Sequence, residues 1–361
     1  MFAKSCMIEA AAAAVISTLA LTGAARATWT ATNLNPAGST QSYALGASGG
    51  QQVGDALVGG VTRASLWSGT TASWVDLNPA GSTQSSAYAV SGGQQAGYAV
   101  VGGLQRASLW NGTAASWVDL NPAGSTESIA YAASGGQQAG SALVGGVYRA
   151  SLWTGTAASW VDLNPAGSTQ SRARAASGVQ QAGEALVGGV FRASLWSGTA
   201  ASWVDLNPAG STQSSAYAVS GGQQAGLATV GGAFHASLWS GTAASWVDLN
   251  PAGSTQSYAF GVSGGQQAGS ALVGGVYRAS LWSGTAVSWE DLSAFLPAGF
   301  TSSFAQGISS DGINTYVTGY GFNSLTGRNE ALLWTQPIPV PGAAAILGLG
   351  GALAARRRRR V

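Results

Sequence analysis

Thiols, imidazoles and charge are what this chain has least of. Its one cysteine, Cys6, lies in the opening segment. The rest can therefore build neither a disulfide framework nor a cysteine-based metal site. The single histidine, His235, leaves a His-based triad or a His-rich metal centre without partners. Charged residues make up 8% of the chain, against about 25% in ordinary globular proteins. A sustained 3.6-residue apolar period is missing as well, and any long helix would carry several glycines in its interior, so helical repeats are disfavoured.

What is present is repetition. Ala107–Arg149 returns almost letter for letter, and the tryptophans measure the step. Trp67, Trp110, Trp153, Trp196, Trp239 and Trp282 are 43 residues apart, as are Trp74, Trp117, Trp160, Trp203, Trp246 and Trp289. Each unit contains four runs of about five residues that read as strands: Ala-Ser-Leu-Trp, Ser-Trp-Val-Asp-Leu, Ser-x-Ala-Tyr-Ala, and Gln-Gln-Ala-Gly with its x-Ala-x-Val continuation. Between them lie Ser-Gly-Thr, Asn-Pro-Ala-Gly-Ser, Ser-Gly-Gly and Val-Gly-Gly, all turn formers. Four short strands in about 40 to 45 residues is the arithmetic of a propeller blade.

The count of strands predicts how the ring closes. A seventh Leu-Trp strand ends at Trp334, and a seventh second-Trp strand begins at Trp29. The first unit thus lacks its Leu-Trp strand and the last strand supplies it, so the two termini are expected to share one blade, which leaves no open edge. Trp282 and Trp334 are 52 residues apart, and the added residues fall in turns. The fold class expected is all-β: a seven-bladed β-propeller of four-stranded blades over residues 28–336, with an N-terminal signal helix and a C-terminal transmembrane helix.

Residues 1–27 read as a secretory signal: Lys4, the apolar run Ala10–Leu21, and Ala25-Arg26-Ala27 as the cleavage site. Residues 337–361 read as a sorting tail. Pro337, Pro339 and Pro341 make a stiff spacer, Gly342–Ala355 is a 14-residue apolar run, and Arg356, Arg357, Arg358, Arg359 and Arg360 follow. Lys4, Arg26 and these five arginines hold seven of the 15 basic residues, and Glu9 is one of the 13 acidic ones. The remainder carries eight basic and twelve acidic groups, formally −4, so no nucleic-acid partner is expected.

Spacer, short apolar helix and terminal arginines resemble the PEP-CTERM class of bacterial sorting signals, with Val340-Pro341 followed by Gly342-Ala343 where that class has Glu-Pro. The resemblance implies an exosortase-like sorting protease as a partner and transient anchoring in the inner membrane. Ala107-Ser108-Leu109-Trp110, Asp119-Leu120, Ser128-Ile129-Ala130 and Gly136-Gln137-Gln138-Ala139-Gly140 resemble the HAF repeat of extracellular bacterial proteins, as does Phe234–Trp239. That likeness covers residues 28–335. It implies an exported repeat protein, at the outer surface or extracellular, with no established activity.

Candidate chemistry is sparse. Asp76, Asp119, Asp162, Asp205, Asp248 and Asp291 recur once per unit, and so do Arg63, Arg106, Arg149, Arg192 and Arg278, with His235 in the remaining copy. A ring of carboxylates could bind cations or sugars; ties between strand ends or neighbouring blades are the favoured account. Glu290-Asp291 point to opposite faces of a strand and make poor partners for glycan cleavage. Val187-Gly188-Gly189 lacks the Lys and helix of a phosphate loop. No cofactor, metal or catalytic residue is assigned.

Positions that vary between units are more telling. The slot before the arginine holds Thr62, Gln105, Tyr148, Phe191, Phe234 and Tyr277. The slot after Gln-Gln-Ala-Gly holds Tyr98, Ser141, Glu184, Leu227 and Ser270, and Arg172 and Arg174 replace Ser and Tyr. These read as solvent-facing sites, where Tyr148 and Tyr277 are the candidate ligand contacts, stacking on sugar rings; neutral surface variation is the competing account. The leading function is a monomeric, non-enzymatic structural or interaction protein of the envelope or extracellular matrix. A polysaccharide-binding, lectin-like propeller is the alternative, and a glycan-active enzyme the third.

Overall fold

The computed structural model describes residues 28–339. They form seven four-stranded antiparallel sheets, each one blade, arranged around a central channel. Blade 1 runs Ser39–Ser48, Gln51–Val58, Val61–Trp67 and Val75–Asp76 from the channel outward. Gly49 and Gly50 at φ 56° and 81°, and Gly59 and Gly60 at 61° and 78°, make the first two turns. Two consecutive positive φ values are the type I′ geometry, whose twist matches the flanking strands.

Strand lengths differ from those read in the sequence. The inner three have 10, 8 and 7 residues where about five were expected, because two-residue turns let the ladders run up to the glycines. The outermost keeps only two residues, since Thr71–Ser73 ahead of it coils into a 3₁₀ turn.

The core lies between the sheets, and every cluster bridges two neighbouring blades. Val53, Ala64, Leu66 and Leu77 of blade 1 meet Ala87, Val90, Ala99 and Trp110 of blade 2. Trp110 and its six equivalents are fully buried, and alanines opposite them leave room for the indoles. The second tryptophan is half-buried in six units and buried as Trp29 in the seventh; Trp74 donates its indole N–H to Ser65 Oγ at 2.9 Å. Each seam also has a polar stitch, in which Ala64 N of one blade donates to Ser85 Oγ of the next at 2.9 Å. That oxygen in turn donates to Asn78 Oδ1 at 2.6 Å. This serine is the first letter of the Ser-x-Ala motif.

Closure follows the expected plan. Blade 7 comprises Phe300–Ser310, Asn314–Asn323, Arg328–Pro337 and, outermost, Thr30–Asn33. Ala31 lies opposite Trp334, and Trp29 shares a core cluster with Trp334. The closing seam uses the common stitch, Ala331 N to Ser42 Oγ at 2.9 Å. The expected cleavage site at Ala25 and Ala27 and the sorting residues Val340, Pro341 and Arg356 to Arg360 lie outside the described residues. Among the described residues no helix is long and apolar enough to cross a membrane.

Candidate functional site

Besides a register shift near its start in six of the blades, each inner strand has one further residue without a partner in the ladder. The pairing of blade 2 steps from Ala87↔Gly97 to Ala89↔Ala96 and skips Tyr88, a β-bulge. The same step skips Leu45, Tyr131, Arg174, Tyr217, Phe260 and Gln306 in the other blades. Bulges re-aim side chains, and these seven together line a channel cavity of about 460 Å³. The glycine of Gln-Gln-Ala-Gly permits the distortion: a Cβ on Gly97 would run into the backbone carbonyl oxygen of Ser86. A second channel cavity, of about 190 Å³, is lined by the same seven side chains together with small residues such as Ala89, Ala132 and Gly261.

Five of the seven lining side chains form a continuous arc. Tyr88 and Tyr131 have ring centroids 5.6 Å apart, and Tyr217 and Phe260 lie 5.4 Å apart. Between these pairs the Arg174 guanidinium sits over Tyr131 at 5.4 Å and Tyr217 at 5.5 Å, within reach of a cation–π interaction on each side. Arg174 Nη2 donates to Glu184 Oε1 at 2.7 Å, and Arg172 Nη1 reaches the same oxygen at 3.4 Å. Arg172 lies over the Tyr148 ring at 4.8 Å.

Electrostatics separate two seams. Burial opposes the Glu184 charge, but the Arg174 guanidinium, hydrogen bonds from Arg174 and Ser215, and Arg172 outweigh it and hold the carboxyl below its usual range. Asp55 occupies the equivalent slot of blade 1 and accepts from Ser86 Oγ at 2.8 Å. Among the described residues no cation pairs with it, and burial pushes it up to about 6. Burial also raises Tyr88 and Tyr217 above the ordinary phenol range, with neighbouring carboxylates adding to the effect. The Tyr88 and Tyr217 phenol groups are therefore neutral hydrogen-bonding groups.

The candidates named from the sequence divide between the channel, the seams and the rim. The slot holding Tyr98, Ser141, Glu184, Leu227 and Ser270 was expected to face solvent; all five are buried. The reason is register: Tyr98 pairs with Ser86 on one side and Ala107 on the other, in mid-sheet, where the next blade covers it. Arg174 lines the channel, whereas Arg172, on the same strand, pairs with Glu184 in the ladder and lies over Tyr148. Tyr148 and Tyr277 are half-buried: Tyr148 donates to Glu127 Oε2 at 2.9 Å, and Tyr277 packs on Phe304 at 4.8 Å. The recurring aspartates are tied inside their own blades. Arg63 Nη1 meets Asp76 Oδ2 at 2.7 Å while Asp76 Oδ1 accepts from Asn78 N at 2.8 Å, and His235 Nδ1 stands 2.7 Å from Asp248. Among the described residues no group of three or more His, Cys, Asp or Glu could hold a metal ion. Leu45, Tyr88, Tyr131, Tyr217, Phe260, Gln306 and Asp55 were not singled out from the sequence. The available signal was the column after Ser-x-Ala, which changes residue while its neighbours repeat.

No family model matches the chain, and no curated protein does. Among solved structures the chain is similar to puromycin hydrolase, seen as a mutant complexed with PGG, at 12% identity and TM-score 0.52; the match covers 83% of this chain and 56% of that one. It is similar to the β-propeller domain of the Trilobed protease from Pyrococcus furiosus at 8% identity and TM-score 0.49, covering 83% and 98%. TolB from Acinetobacter baumannii matches at 10% identity and TM-score 0.41, covering 68% of this chain and 64% of that one. The chain therefore spans little more than half of puromycin hydrolase and less than two thirds of TolB. At these identities the likeness concerns the fold alone.

Proposed function

We propose that this chain is an exported, surface-associated repeat protein that acts by binding, not catalysis, and that its ligand is a saccharide taken up in the central channel. One observation carries the reading. The repeat holds its outer framework nearly constant, while seven bulges aim seven independently chosen side chains into one cavity. Its volume of about 460 Å³ lies within the usual range of ligand sites. Tyrosines and a phenylalanine offer flat apolar faces, and phenol groups supply hydrogen bonds at their rims.

Two carboxyl groups with opposite shifts would be the mark of acid–base work. Asp55 and Glu184, however, sit in different seams, each turned to a serine of the next blade. They do not face one bond, which supports a binding role over glycan cleavage.

Export rests on the opening and closing segments. Lys4, the Ala10–Leu21 run and Ala25-Arg26-Ala27 support secretion, and the Pro spacer, apolar run and terminal arginines support handling by an exosortase-like protease at the membrane. Mass spectrometry of both termini of the released protein tests this: cleavage after Ala27 and loss of Arg356–Arg360 are expected, and an intact tail refutes the sorting step. Retention of the protein on extracellular polysaccharide tests the binding role. The double substitution Tyr131→Ala, Tyr217→Ala should abolish it, with Tyr148→Ala or Tyr277→Ala having smaller effects. Undiminished retention without the channel aromatics sinks the proposal.

A further inference from the structure

The wall of blade 4 goes further and indicates which class of saccharide the channel takes. We infer that the channel selects an acidic sugar, with the oxyanion held at Arg174 and the sugar ring against the aromatic arc on either side of it. This rests on the channel being a saccharide site and adds to it the charge of the ligand.

Charge complementarity is the first argument. Arg174 is the one charged side chain among the seven that line the ring. Two guanidinium groups, Arg174 at 2.7 Å and Arg172 at 3.4 Å, face the one Glu184 carboxylate, whose side chain is 5% exposed. The other arginines of the repeat are matched singly, as Arg106 is with Asp119 at 2.6 Å. The remaining carboxyl groups near the channel are differently engaged. Glu127 accepts from Tyr148, and Asp55 accepts from Ser86 in the seam of blades 1 and 2.

Preorganisation is the second. The Arg174 guanidinium is held between the Tyr131 and Tyr217 rings, and Nη2 is tethered to Glu184. The side chain is still 29% exposed. A guanidinium already immobilised loses little further freedom on binding, and its planar fork suits an oxyanion. Faces of Tyr88 and Phe260 continue the arc beyond Tyr131 and Tyr217, leaving stacking surface next to the charge.

A carboxylate and a sulfate ester present the same chemistry here, and the experiment separates them. The full chain, purified in mild detergent, is titrated calorimetrically with a uronic-acid oligomer, a sulfated oligomer and a neutral gluco-oligosaccharide of equal length. One or both acidic oligomers should bind about tenfold or more tighter than the neutral one, the contribution of a charge-assisted hydrogen bond. Added salt should erode the difference. The triple variant Arg172→Ile, Arg174→Tyr, Glu184→Ser gives blade 4 the residues that blade 3 carries as Ile129, Tyr131 and Ser141, a combination this framework already accommodates. It should fold and lose the preference for acid. Equal affinity for the neutral oligomer, a salt-insensitive preference, or a triple variant that keeps the preference overturns the inference while leaving saccharide binding intact. If no saccharide of any charge binds, the proposed function itself falls.

Discussion

The seam between blades 1 and 2 and the seam between blades 4 and 5 are built on one backbone and carry opposite chemistry. In each, a carboxyl group on the second strand accepts a hydrogen bond from a serine on the next blade's inner strand, Asp55 from Ser86 and Glu184 from Ser215. At blades 4 and 5 the Arg174 guanidinium is added, and the carboxylate is held charged. At blades 1 and 2 no cation is added, and burial drives the proton on, up to about 6. The contrast teaches that this fold separates support from chemistry. Stitches, bulges and indoles recur in every seam, so a change of two or three residues rewrites a site without disturbing the ring.

Removing one partner at blades 4 and 5 should break the contrast most sharply. Arg174→Leu leaves Glu184 with Ser215 and, at 3.4 Å, Arg172 as its one cation, and should cost about 3 kcal/mol in chemical denaturation, since stripping a buried pair of one member is expensive. The triple variant that gives blade 4 the blade 3 residues removes all three charges together and should cost far less. The shared framework predicts equal behaviour elsewhere: Gly97→Ala and Gly183→Ala each force a Cβ against a backbone carbonyl, of Ser86 and Arg172 respectively. Both should lose about 1–3 kcal/mol, and a large difference between them would mean that the bulge is not common to both seams.

The pH response sharpens the same comparison. Asp55 binds its proton more tightly folded than unfolded, so between its ordinary value of 3.8 and about 6 the folded state holds more protons. Stability must then fall as pH rises through that window and level off above it. Asp55→Asn should remove that fall, stabilising the protein at pH 8 by about 1–2 kcal/mol once solvent screening is allowed for, with little effect at pH 4. Glu184 has the opposite sign: its stabilisation is present above the ordinary glutamate value and is lost on acidification. Smallest of all, Asp119→Asn at the rim pair with Arg106 should change thermal stability by no more than about 1 kcal/mol, as partly exposed pairs do.

Much of this architecture was legible in the sequence. The 43-residue step of Trp67, Trp110 and their successors set the blade count, and Trp29 with Trp334 announced a shared last blade. These features are periodic, and periodicity survives any ignorance of side-chain direction. The site was not legible. Simple alternation along Ser85-Ser86-Ala87-Tyr88-Ala89 gives no sign that Tyr88 leaves the ladder, because the cause lies on another strand, at Gly97. Nor could spacing show that the slot of Tyr98 and Glu184 is covered, because the next blade covers it.

Local order and number were thus written in the chain: turn glycines choose the hairpins, and repeated apolar faces that no blade can bury alone require a ring. Assembly in three dimensions settled which of the varying residues meet. Leu45, Tyr88, Tyr131, Arg174, Tyr217, Phe260 and Gln306 are spread over more than 260 residues of chain and become neighbours only because seven sheets share an axis. The rings that flank Arg174 on that axis, Tyr131 and Tyr217, come from the two neighbouring blades, which no single repeat contains.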